Sequence, residues 1–169
     1  MAETEPSRAV LDAGPLIHLD ELDCLDLLEG FAELHAPTAV WHEVQFHRPQ
    51  IERSRLSVLI LAEVALNLTP ALSALSRSLE LDAGEIRALS LLEQSGGGIF
   101  LCDDAAARLA AESLGFQVRG TVGLIVRAIR RGTRTVSQVR QTLLKIPTRS
   151  TLHLSRTLLA EVVRQIPDR

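Results

Sequence analysis

Apolar residues cluster in short blocks separated by turn signals. RAVLDA (residues 8–13) stops at Gly14-Pro15, which predicts a buried strand leading through a turn into a helix. In PLIHLDELDCLDLLEGF, Leu16, Leu19, Leu25 and Leu28 recur at helical spacing. Pro37-Thr38 predicts the start of a second helix, TAVWHEVQF, with Thr38 as its cap. LSVLILAEVAL is rich in β-branched residues and reads as a strand, and Asn67 and Pro70 interrupt the pattern after it. ALSALSRSL and LDAGEIRALSLLEQSGGG read as helices, the second stopped by glycines. IFLC predicts a strand, DAAARLAAESLG a helix ending at Gly115, FQVRG a strand and TVGLIVRAIRRG a helix. TVSQVRQTLLKI and TLHLSRTLLAEVVRQI predict two last helices separated by Pro147.

Strands alternating with helices imply a parallel sheet covered by helices, an α/β layered fold. Such folds gather functional groups at the carboxyl ends of strands. Asp12 ends the first predicted strand, and Asp103 and Asp104 end a later one. No internal repeat, low-complexity tract or linker divides the chain, so one domain with a helical tail is expected.

Composition narrows the function. At 169 residues the chain can bury a sizeable core, but it carries only four Phe, one Trp and no Tyr, so that core is aliphatic. Base-stacking platforms of the single-strand-binding kind lack material here. Cys24 and Cys102 build neither a disulfide framework nor a zinc site. MAETEPSRAV lacks the apolar core of a signal peptide, and LSVLILAEVAL is interrupted by Glu63 and too short to span a bilayer. A cytoplasmic protein is expected. The net charge of −3 conceals an asymmetry: residues 1–118 hold 19 acidic and 7 basic side chains, whereas residues 119–169 hold 2 acidic and 11 basic. That split suggests a site needing carboxylates beside a surface that attracts polyanions, although a solvated helix face gives the same pattern.

Each carboxylate has a structural and a chemical reading. Asp12 fits a turn or cap. Glu43 lies beside the stripe of Val40 and Val44, placed to lean towards a cleft. Asp82 and Glu85 have capping-box spacing. One aspartate suffices to cap the helix after IFLC, so the second of Asp103 and Asp104 is surplus and calls for a compensating cation. Hard oxygen donors from separate segments suit Mg2+ or Mn2+, which keep several waters, bridge to phosphates and generate hydroxide for in-line attack. Arg108, one turn after Asp104, has the spacing to pair with a carboxylate or a phosphate.

In order, VLDAGPLIHL, PTAVWHEV, LDAGEIRALSL and IFLCDDAAARLAAESLGFQVRGTVGLIVRAIRRG resemble a PIN domain, in the branch that carries GE, DD..AR and GT.G in its second half. The resemblance covers about residues 8–132, leaving residues 1–7 as a tail and 133–169 as a helical extension. It implies a three-layer α/β/α sandwich around a parallel sheet. It further implies an Mg2+- or Mn2+-dependent ribonuclease, in many bacterial members the toxin of a toxin–antitoxin pair. The implied partners are RNA, a small antitoxin protein and a second copy of the chain. By motif the acidic site is Asp12, Glu43, Glu85, Asp103 and Asp104, with Asp12, Glu85 and one or both of Asp103 and Asp104 meeting metal. Where the family commonly has Thr or Ser two residues before the last strand-end aspartate, this chain has Cys102. A PIN-like module that binds RNA or protein without cutting is the rival reading. A receiver domain is disfavoured because the acidic pair comes late and the only lysine is Lys145.

Overall fold

A computed structural model describes residues 8–167. The expected N-terminal tail, residues 1–7, lies outside the described residues. Five strands form one parallel sheet: β1 (Arg8–Leu11), β2 (Glu33–Pro37), β3 (Leu59–Ala62), β4 (Ile99–Leu101) and β5 (Gln117–Arg119). Their order is β3-β2-β1-β4-β5. The chain therefore winds outwards in one direction from β1 and restarts on its other side with β4, making the β1–β4 junction the topological switch point.

Both faces of the sheet are buried, as a parallel sheet requires. Ala9 and Leu11 of β1 and Ile99 and Leu101 of β4 face one core, while Val10, Phe100 and Cys102 face the other. The first core is closed by α1 (Ala13–Glu21), α6 (Thr121–Arg130), α7 (Val136–Arg149) and α8 (Arg156–Gln165). The second is closed by α3 (Pro70–Ser78), α4 (Ala83–Gln94) and α5 (Ala105–Ser113). Between them, α2 (Thr38–His47) touches both α1 and α4. This is the expected three-layer α/β/α arrangement. Val139, Leu143 and Ile146 of α7 and Leu159 of α8 lie in the same apolar cluster as Leu11 and Leu101, so the C-terminal helices build the first core.

Several local expectations are corrected. The helix expected through residue 31 stops at Glu21, because Asp23 takes a left-handed conformation (φ 55°), and a short 3-10 helix, Leu25–Gly30, follows. Strand β2 was not foreseen, since ELHAP is short and half polar, and it forms because Leu34 and Ala36 alternate into the core. Thr38 does not cap α2; Pro37 holds the cap position and the Thr38 hydroxyl donates to the Ala62 carbonyl at 3.4 Å. The expected break at Pro147 is absent. Pro147 sits in the last turn of α7, so the one amide bond it forfeits falls where the helix is about to end, and the buried Ile146 holds that turn in place. Gly115 does end α5, with φ 85°.

Truncation of Leu143 to alanine should destabilise the whole domain by about 2–5 kcal/mol in urea unfolding, the usual range for a buried leucine. A loss below about 1 kcal/mol would show that α7 merely rides on the domain.

Candidate active site

Parallel pairing continues one residue past β1: the Asp12 amide donates to the Leu101 carbonyl at 2.9 Å. The carboxyl ends of β1 and β4 are thus held side by side, and Asp12 stands next to the Cys102–Asp104 turn. A cleft of about 590 Å³ opens there, lined by Asp12, Glu43, Glu85, Asp103 and Asp104, so the five acidic positions singled out in the sequence face one space. Asp82, read from sequence only as a cap, lines it as well.

The two adjacent aspartates do different jobs. Asp104 caps α5, its Oδ1 accepting from the amides of Ala106 (2.8 Å) and Ala107 (2.9 Å), while Oδ2 accepts no hydrogen bond from the described residues. Asp103 turns away from α5. Its Oδ1 accepts from the Thr121 amide at 2.7 Å, and its Oδ2 from the Thr121 hydroxyl at 2.6 Å, with the His18 Nδ1 also at 2.7 Å. Thr121 is therefore the first residue of α6 and not its side-chain cap; Gly120 occupies the cap position and Asp103 binds the helix start from outside. A Cβ at Gly120 would lie 2.7 Å from Asp103 Oδ1, so glycine is what lets the carboxylate reach that amide.

On the opposite wall, Asp82 and Glu85 form a reciprocal capping box: the Glu85 amide donates to Asp82 Oδ1 and the Asp82 amide to Glu85 Oε2, both at 2.8 Å. Glu85 Oε1 is left over. Gly84 makes room between carboxylates, since a Cβ there would lie 3.2 Å from Asp82 Oδ1 and 3.4 Å from Glu43 Oε2.

This crowding leaves an electrostatic signature. Burial pushes the Asp12 carboxyl up to about 6, with Glu43 and Asp82 adding repulsion. Burial likewise raises Glu85 to about 7, and Asp82, Asp104 and Asp12 push the same way. Glu43 is raised by burial and by Asp82. Asp103 goes the other way: burial would raise it, but the hydrogen bonds from His18 and Thr121 prevail and hold it below the usual carboxylate range. Arg48 at the cleft is engaged with Asp20 at 2.6 Å and His18 bonds Asp103, while His47 opposes part of the rise at Glu43. Burial also pushes the Cys102 thiol up, and that protonated thiol donates a weak hydrogen bond to Asp12 Oδ2 at 3.6 Å.

A metal fits this donor set in kind. Asp12, Glu85 and Asp104 are hard carboxylates in mutual repulsion, and among the described residues Glu85 and Asp104 each keep an oxygen without a hydrogen bond. Among the described residues no three His, Cys, Asp or Glu side chains are gathered as a ready-made metal cage. Mg2+ does not need one, because it keeps several waters and takes one or two carboxylates directly.

Sequence reasoning missed three contributors. His18 reaches Asp103 across 85 positions, a distance no local pattern spans. Asp82 was hidden by its capping role. Thr151, Leu152 and His153, between α7 and α8, line the cleft because Glu21 fastens that segment through the Thr151 amide (2.7 Å) and the Ser150 hydroxyl (2.8 Å).

Comparison with known families identifies the fold. A family model described as a PIN domain matches residues 8–168, and the chain belongs to that family, whose members are generally nucleases. The match includes the C-terminal helices that the sequence motifs left out. No curated protein matches the chain. Among the described residues no helix is long and apolar enough to cross a membrane.

The raised carboxyls give a pH dependence of stability. A proton that binds the folded state more tightly than the unfolded one stabilises folding below the unfolded value, near 4, and that benefit disappears as pH rises through the folded values of about 6 and 7. The unfolding temperature in EDTA should therefore fall between pH 5 and pH 8. It should fall less in Asp12→Asn/Glu85→Gln, where glutamine keeps the contact to the Asp82 amide. Equal falls in both proteins would show that these acids do not carry the effect.

Proposed function

We propose that this chain is an Mg2+- or Mn2+-dependent endoribonuclease that hydrolyses RNA phosphodiester bonds. The observation that carries the reading is the group Asp12, Glu85 and Asp104, acids that burial and mutual repulsion crowd together at the switch point of a PIN-domain sheet. Asp12, Glu85 Oε1 and Asp104 Oδ2 would hold the ion. When bound, such an ion supplies a water of lowered pKa and neutralises charge as the phosphodiester is attacked in line. Glu43, its carboxyl raised by burial and by Asp82, is suited to take the proton of the attacking water. Asp103 has every oxygen engaged and acts as a positioning residue, fixing the start of α6 and the His18 ring against the end of β4.

A cytoplasmic role as the toxin of a toxin–antitoxin pair, with a small antitoxin partner and a homodimeric state, rests on membership of the family and belongs to the same proposal. The alternative, a PIN-fold module that binds RNA or protein without cutting, is separated by one experiment.

Purified protein should cleave a mixed RNA pool with Mg2+ or Mn2+ and not with EDTA. Asp12→Asn and Glu85→Gln should each lower the rate by at least about 100-fold, the scale of a lost metal ligand or charge partner. Cleavage that persists in EDTA, or that survives both substitutions, would sink the nuclease reading at this site. An inert protein that still binds RNA would favour the module.

A further inference from the structure

A second cavity, of about 430 Å³, adjoins the acidic cleft and shares Asp103, Leu152 and His153 with it. Its chemistry is different. Arg108 of α5 and Arg119 of β5 line it, opposite an aliphatic wall that includes Val122, Leu154, Leu158 and Val162. Arg108 is fixed by donating Nη1 to the Cys102 carbonyl at 3.1 Å. The Nη1 of Arg119 is buried and has no hydrogen-bond partner among the described residues, a costly state that an anionic oxygen would relieve. The one carboxylate in the lining, Asp103, is already bound by Thr121 and His18, so it leaves the guanidinium groups to a ligand. Gly123 also lines the cavity, and a Cβ there would meet nothing within 4 Å.

We propose that this cavity is a nucleotide subsite, in which Arg108 and Arg119 hold a phosphate and the Val122–Leu154–Leu158–Val162 wall takes the attached base. The proposal rests on the nuclease reading for its biological sense: the phosphate held here neighbours the one to be cut. It also states a polarity, because bare phosphate is repelled by the carboxylates of the first cleft and attracted by the arginines of the second. The wall carries no aromatic ring, so bases are received by aliphatic contact, without the stacking that aromatic platforms provide.

The test is methyl NMR of the full chain in EDTA, titrated with inorganic phosphate and with adenosine 5′-monophosphate. Both ligands should shift Val118 and Val122, and the nucleotide should also shift Leu154, Leu158 and Val162. Arg108→Met/Arg119→Met should weaken nucleotide binding at least about tenfold, whereas Asp12→Asn should not weaken it. Leu158 is 51% exposed, so Leu158→Glu spares the core and should weaken the nucleotide as well. Nucleotide shifts absent from these methyls, or unchanged in both the arginine and Leu158 variants, would overturn the subsite. The two readings fail separately. Metal-dependent cleavage with an unchanged KM in the arginine variants would remove the subsite and leave the nuclease. Nucleotide binding here in a chain that never cuts RNA would remove the nuclease and leave the subsite.

Discussion

The hydrogen bond from the Asp12 amide to the Leu101 carbonyl locks the ends of two strands that lie 90 residues apart in the chain. Because both faces of β1 and β4 are buried, a slip of one residue would drive Leu11 and Leu101 into the wrong core, so the register is strongly specified. That register leaves Asp12 no choice of neighbour. It must share a partly desolvated space with the turn that carries Asp104 and with Glu85 on the adjacent helix. Ordinary proteins relieve such crowding with an arginine or lysine. Here Arg48 is taken by Asp20, and the strain appears as carboxyls raised well above their usual range. The core thus holds an acidic site in a state that a divalent cation would relieve.

The paired aspartates show how strand geometry divides labour. Successive side chains leaving a strand point to opposite sides. Asp104 bends forward to cap α5, and Asp103 bends back to grip the start of α6 and the His18 ring of α1. Asp103 is therefore a clamp joining three elements around the cleft, and its lowered carboxyl and the raised one of Glu85 follow from one difference. Asp103 has the Thr121 and His18 donors to offset its burial, whereas Glu85 has the Asp82 amide and then other acids around it.

The fold class was legible because it depends on periodicity: both halves of the sheet show apolar blocks with helical spacing after them. What escaped depends on contacts distant in sequence. Strand β2 carries two polar residues in five and becomes a strand only when β1 and β3 flank it. The acidic positions were legible one by one because each closes an apolar block, yet their division into ligand-like and positioning groups was not. Whether an oxygen is free or engaged is decided by partners such as Thr121 and His18, which sit elsewhere in the chain. Pro147 misled for a related reason. A proline stops an isolated helix, but in the last turn of a packed one the buried Ile146 outweighs it.

The charge asymmetry of the sequence also changes meaning in three dimensions. Part of the basic C-terminal third is turned inward on the acidic first third: Arg134 meets Asp26 at 2.6 Å and Arg149 meets Asp23 at 3.5 Å. Such exposed pairs contribute little each. They do agree with the apolar packing of α7 on α1 and α6, so part of the asymmetry is met within the chain itself. A separate polarity survives beside the acidic cleft, on a smaller scale. Arg108 and Arg119 lie before the basic run or at its first position, on the far side of Asp103 from the acids. The segment of Thr151 to His153, pinned by Glu21, stands between the two spaces and lines both through Leu152 and His153. A polyanion lying across that segment would meet carboxylates on one side and guanidinium groups on the other. Those opposite demands fix the direction in which it can lie.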